Sequence, residues 1–213
     1  MARPQTDIDA GRLQLLEAVD IVVRARGSAD ISMSEVAAAA GMSPSNIYRF
    51  FETKEALFDA VAEKWFAAKI AIMEEVCASD MSPRDKMVAF FARRFEVMVQ
   101  QYDADPALFR SYMEIGAQNY EAIAGYVDLG DHYLSVLVAD AMEAGYFKGF
   151  TLDEMVSLIN QMLFVYINPD MLTMIGTAKL KVEKLERIVD TIFAGLTKAA
   201  AEPAREAQMK IVS

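Results

Sequence analysis

Between Ser43 and Lys54 the chain gathers Ser43, Ser45, Asn46, Tyr48, Arg49 and Lys54, side chains that hydrogen-bond or carry positive charge, with no histidine among them to activate a nucleophile. Their shared chemistry is recognition. Serine and asparagine donate and accept at base edges, arginine offers a planar fork, and lysine and tyrosine reach phosphate oxygens. Ser34, a little upstream, is of the same type. Residues for catalysis are thin elsewhere. His132 is the only histidine, and although Asp128 and Asp131 are near it, a lone histidine among acids on a helix surface reads as solvated. Cys77 is the only cysteine and has no base partner, and no glycine loop suited to phosphates is present. The sequence therefore predicts no catalytic residue, no metal and no cofactor, and a binding protein rather than an enzyme.

The elements that must hold those side chains are marked by local signals. Ser32 and Glu35 have capping-box spacing, with Ile31 and Val36 placed as a hydrophobic staple. Gly41 ends the short helix that follows, since a left-handed residue there costs glycine nothing. Ser43 then caps a second short helix, expected over 44–50, with Pro44 at its first position and Met42 and Ile47 as a second staple. Two short helices separated by a turn of about three residues are a helix-turn-helix. Small Ala37 allows close approach while Val36 and Ile47 fill the gap, which leaves Ser45, Asn46, Tyr48 and Arg49 outward. Thr53-Lys54 opens the next helix, where a lysine and free N–H groups suit a phosphate.

From Leu15 through Phe66 the chain resembles the DNA-binding domain of the tetracycline-repressor (TetR/AcrR) family. The resemblance is carried by Leu16-Glu17-Ala18, Arg26-Gly27, Ser32-Met33, Val36-Ala37, Ala40-Gly41-Met42-Ser43, Ile47-Tyr48-Arg49-Phe50-Phe51 and Thr53-Lys54-Glu55-Ala56-Leu57. It departs at Ser28, where the family often has an aromatic residue, at Phe50, often histidine, and at Glu52, an acid beside the expected phosphate contact. The resemblance implies an all-α protein: a three-helix helix-turn-helix domain over 1–53, then a helical-bundle domain over 54–213 that binds an effector and dimerises. It also implies a transcriptional regulator, usually a repressor, that a small molecule releases from a palindromic operator. Control by a protein partner is the alternative.

Hydrophobic periodicity predicts helices over about 9–26, 33–40, from Lys54 toward Cys77, 83–102, from Pro106, 122–144, 152–166 and 180–200, with a helical turn at 171–175. Thr151-Leu-Asp-Glu154 repeats the capping-box spacing. The helix over 152–166 and the last one carry more apolar surface than one core needs, which marks them for a homodimer contact through Leu158, Met162, Leu185, Ile188, Ile192 and Phe193. Methionines and tyrosines of the middle helices can line an adaptable cavity, and so can serve as ordinary core. The candidates are Met98, Phe109, Tyr112, Met113, Tyr120, Tyr133, Leu137, Met162 and Tyr166.

Composition sets the outer bounds. Hydrophobic residues make up 54% of the 213, enough for a substantial core. Net charge is −10, but the acids are unevenly spread: through Lys54 the balance is −1, and the remainder carries −9. An acidic body can coexist with a local basic contact surface, and charge alone leaves DNA binding open. The N-terminus lacks the apolar stretch of a signal peptide, and no run approaches a membrane span. The expectation is a cytoplasmic protein that binds double-stranded DNA, a second copy of itself and a small molecule, and no membrane.

Overall fold

Apolar residues at helical spacing build the first helix, α1 (Gln5–Arg26): Leu15, Val19 and Val23 lie on one face and are fully buried. Gly27 ends it. In the computed structural model, which describes residues 5–118 and 120–196, every other regular element is helical too. The order is α2 (Met33–Ala39), one turn of 3-10 helix (Ile47–Arg49), α3 (Lys54–Ala78), α4 (Pro83–Ala104), α5 (Pro106–Gln118), α6 (Tyr120–Glu143), α7 (Leu152–Ile167), α8 (Pro169–Ile175) and α9 (Val182–Gly195). Among the described residues there is no strand, and no helix is long and apolar enough to cross a membrane.

Side chains fix most helix starts. Ser32 and Thr151 each form a capping box with the glutamate three residues on. Thr53 accepts from the Ala56 N–H at 3.1 Å, and Ser82 from that of Asp85 at 3.2 Å. Asp105 accepts from the Leu108 N–H at 2.9 Å ahead of α5, and Asn168 from that of Asp170 at 2.8 Å ahead of α8. Each such cap contributes about 1 kcal/mol by satisfying a donor the helix leaves open.

One expected element differs. The segment 44–50 is not an α-helix: Asn46, Arg49 and Phe50 donate to carbonyls three residues back, and only Phe51 makes the longer bond, to Ile47 at 3.0 Å. Ile47 and Phe51 are both buried, and their packing in the core sets the local winding. The last helix is observed to Gly195 with Leu196 as its cap; its expected extension through Ala200 lies outside the described residues.

The described residues of Met1–Glu75 and Arg93–Asp131 form one compact unit, and those of Val76–Ala92 and His132–Ser213 a second, so α3, α4 and α6 contribute to both. The first unit is centred on Leu15, Val19, Val36, Ile47, Phe51, Leu57 and Val61, joined by Tyr112 and Ile115 of α5. In the second, Met155, Ile159 and Leu163 of α7 and Leu185, Val189 and Ile192 of α9 are all 0% exposed. Burying one such side chain contributes about 1.5–3 kcal/mol.

Candidate nucleic-acid interface

The interface candidates sit on a unit that is pinned from below. Ser32 accepts from the Glu35 N–H at 3.3 Å, and Glu35 accepts from the Ser32 N–H at 2.8 Å. At the other end of α2, the Met42 N–H reaches the Ala37 carbonyl and the Gly41 N–H that of Ala38, a Schellman closure with Gly41 at φ +66°. α1 holds the turn that follows: Arg12 donates to the Phe50 carbonyl at 2.8 Å with its guanidinium 4.2 Å over the Phe51 ring, and Gln14 donates to the Ala40 carbonyl at 2.9 Å. A Cβ at Gly11 would overlap the Phe50 ring, so this glycine permits the close approach of α1. Val36, Ala37 and Ile47 are all 0% exposed, as the spacing predicts.

With those residues inward, the polar ones face out. Tyr48 is 53% exposed, Ser34, Ser43, Ser45 and Arg49 are exposed, and Asn46 and Lys54 are half-buried. The Ser43 and Ser45 hydroxyls lie 3.3 Å apart, and the Arg49 guanidinium leans toward the Asn46 amide oxygen at 3.5 Å. Lys54 rests its ammonium 5.0 Å from the Phe58 ring at the start of α3. Ser34, Tyr48 and Lys54 meet in one open groove of about 610 Å³, whose walls also include Arg26, Ser32 and Glu35. Arg26, paired with Glu35 and in the basic last turn of α1, carries part of the sequence resemblance but is not among the DNA-contact candidates.

The electrostatics of this groove are mixed. Hydrogen bonds from the Ser32 hydroxyl and backbone N–H hold the Glu35 carboxyl below the usual carboxylate range, and the charges of Arg26 and Lys54 add to that. Glu35 thus stays ionised, anchoring Arg26 at the rim beside the α2 N-terminus. Arginine, lysine, a phenol and several hydroxyls on one exposed face can bind phosphates and probe base edges.

Two family profiles match the chain: bacterial regulatory proteins of the tetR family over residues 15–61, and the tetracyclin repressor-like C-terminal domain over residues 83–189. The second alone spans half of the sequence. The chain belongs to the TetR family. It is a DNA-binding transcriptional regulator with the helix-turn-helix and helical body of that family. Solved TetR-type folds agree. A TetR-family transcription regulator from Marinobacter aquaeolei VT8 superposes with TM-score 0.60 at 19% identity, covering 90% of this chain and 97% of that one. The fatty acid degradation regulator FadR from Bacillus halodurans gives 0.59 at 19%, covering 92% and 98%. NalD, the secondary repressor of a multidrug efflux pump in Pseudomonas aeruginosa, gives 0.61 at 17%, covering 89% and 98%. No curated protein matches.

The effector candidates of this TetR-family chain fall into two sets. In the first unit, Met98, Phe109 and Tyr112 are buried and Met113 is half-buried; the side chain of Tyr120 lies outside the described residues. Tyr112 stacks on Trp65 at 4.4 Å, and Phe109 meets both Trp65 and Tyr102 edge-on. In the second unit Leu137 and Tyr166 are buried, the Tyr166 hydroxyl donating to the Lys181 carbonyl at 3.1 Å, and Tyr133 is half-buried. Met162, a candidate for both the pocket and the subunit contact, is 40% exposed on α7. Among the dimer candidates, Leu185 and Ile192 are 0% exposed and belong to the core beneath any such contact. Leu158, Met162, Ile188 and Phe193 retain accessible surface. Their burial separates residues that helical periodicity alone had grouped together.

Proposed function

We propose that this TetR-family regulator is a ligand-responsive repressor that binds a palindromic operator as a homodimer and leaves it when an apolar or amphipathic small molecule enters its helical body. Residues 1–53 serve as the DNA-binding domain and 54–213 as the effector and dimerisation domain. Ser34, Ser43, Ser45, Asn46, Tyr48 and Arg49 face the major groove, and Lys54 binds a phosphate. What supports the reading is that one helix serves both ends. α3 starts at Lys54 in the groove and carries Trp65, which stacks on Tyr112 of α5. A ligand that shifts the aromatic cluster therefore shifts the frame of the recognition turn. NalD, a repressor of the same fold, gives the role a precedent.

Dimerisation through α7 and α9 places two recognition turns against successive major grooves about 34–36 Å apart. The experiment is genomic selection of bound fragments, then titration of thermal-shift hits against the protein–operator complex. A palindromic site and a hit that weakens DNA binding by about 5–150-fold are expected, with DNA weakening the hit by the same factor. Failure to recover a preferred site, or a hit that binds free and DNA-bound protein equally, would overturn the reading. Control by a protein partner is favoured instead by the apolar surface of α7 and α8, where Phe164 is 47% and Met174 77% exposed. A dimer that leaves these residues accessible would support that second reading.

A further inference from the structure

α3, α4 and α6 bring together, inside the first unit, a group of side chains that the DNA-facing surface does not use. Lys69 of α3 is only 6% exposed. Its ammonium donates to the Gln101 amide oxygen of α4 at 2.6 Å and lies 5.0 Å from the Trp65 ring and 5.7 Å from that of Phe66. Among the described residues no carboxylate pairs with it. Arg94 of α4, a charge of the same sign that acts on Lys69, donates to the Tyr126 hydroxyl at 3.0 Å. Tyr126 of α6 in turn stacks on Phe66 at 3.9 Å. The result is an aromatic-walled cluster with two cations and an amide whose NH₂ makes no hydrogen bond among the described residues.

We propose that Lys69 and Gln101, backed by Arg94, form the head-group subsite of the effector, and that the effector is an organic carboxylate with an apolar body. This rests on the small-molecule reading above and narrows it to a chemical class. A buried ammonium held by a neutral amide and π-faces has an incomplete shell, and an anion is the group that completes it. A planar carboxylate has one oxygen for the Lys69 ammonium and one for the Gln101 N–H. Its apolar part meets the rings of Trp65, Phe66 and Tyr126, and Trp65 continues into Tyr112 and Phe109. Burial, followed by the Arg94 charge, brings Lys69 down to about 7 in the free protein, and a bound carboxylate reverses that shift. A lysine that merely filled space would be indifferent to ligand charge.

The probes are decanoate and 4-phenylbutyrate, each beside its uncharged methyl ester, titrated calorimetrically into the full-length protein. Each acid should bind on the order of tenfold to a hundredfold more tightly than its ester, the size of one charge-assisted contact. Lys69→Met and Gln101→Leu should each reduce that preference while leaving ester binding in place. The wild type gives a second readout that needs no variant to fold: with ε-¹³C-lysine at about pH 8, the Lys69 signal should move to its charged position on adding decanoate and stay put with the ester. Acid and ester binding equally, or a preference that survives in Lys69→Met, would overturn the carboxylate subsite alone. Binding by neither acid nor ester at millimolar concentration would remove the subsite together with the small-molecule reading. A phosphate monoester preferred over both acids would overturn the assigned class.

Discussion

The Tyr112 hydroxyl donates to the Asp20 carboxylate, tying α5 to α1 across the first unit. Two further contacts lie at the ends of these elements: Arg24 with Asp105, just ahead of α5, at 2.8 Å, and the Ala29 N–H, just past α1, with the Glu114 carboxylate at 3.2 Å. Lys64 of α3 also approaches Asp20, at 3.4 Å. α1 forms part of the helix-turn-helix frame, so α5 gives the Trp65 cluster a second line to the recognition turn beside α3. Burial, then the bond to Asp20, raises the Tyr112 phenol above the ordinary tyrosine value, which keeps it a neutral donor at any working pH.

Tyr112→Phe removes this donor and keeps the ring that stacks on Trp65. Stability should fall by about 1–2 kcal/mol, because the half-buried Asp20 carboxylate keeps Lys64 but loses its hydrogen-bond donor Tyr112. Operator affinity without ligand should change little, while the loss of affinity on adding ligand should shrink. Denaturant midpoints and DNA titrations with and without ligand measure both. An unchanged ligand response would mean that α5 does not carry the coupling.

Lys54→Ala should weaken binding to all DNA sequences alike and reduce the slope of log affinity against log salt by about one phosphate contact. Arg49→Ala should instead relax the preference among operator variants, by about 1–3 kcal/mol at the affected base pair. Anisotropy titrations over a salt series, on the operator and on single-base variants, separate the two. Affinity unchanged in both variants would show that these side chains do not meet DNA.

Lys69 should leave a signature in the pH dependence of folding. Its value in the folded chain is about 7 against an ordinary 10.5, first through burial and then through Arg94. Between those values the unfolded chain binds the extra proton. Its share of stability is therefore lowest below pH 7 and rises with pH through this window, by at most about 1.4 kcal/mol per pH unit. Lys69→Met should remove that rise and be relatively more stable at the acid end. Urea midpoints from about pH 6 to 9 test it, and parallel curves for the two proteins would show that Lys69 is not what titrates.

At α9, neighbouring substitutions should part company. Ile188 retains accessible surface, so Ile188→Arg should give a folded monomer in sedimentation, by placing an unpaired charge in the proposed subunit contact. Ile192 is 0% exposed, and Ile192→Arg should instead lose the fold, since the charge enters the core of its own chain. A dimeric Ile188→Arg variant would move the contact elsewhere.

What could be read from the sequence is what residues three or four apart decide between themselves. The capping boxes at Ser32 and Thr151, the glycine closure after α2 and the inward set Val36, Ala37 and Ile47 all follow from helix periodicity and orphan backbone groups, which need no distant partner. The ordered run from Leu16 to Leu57 added the family, and with it the exposed side chains on the recognition turn. Where long-range packing decides, the sequence was silent or ambiguous. The recognition segment is a single 3-10 turn because Ile47 and Phe51 are buried in the core, and Gly11 of α1 allows Phe50 to come so close. Periodicity put Leu185 and Ile192 with Ile188 on one broad apolar face; only the packing of α9 on α7 divides core from surface. Lys69 is the sharpest case. In the sequence it is one charge on a long helix, and its partners Arg94 and Gln101 lie on α4, brought beside it by packing alone. Desolvation and like-charge proximity arise from the neighbours a folded chain supplies, so no local pattern could have announced them.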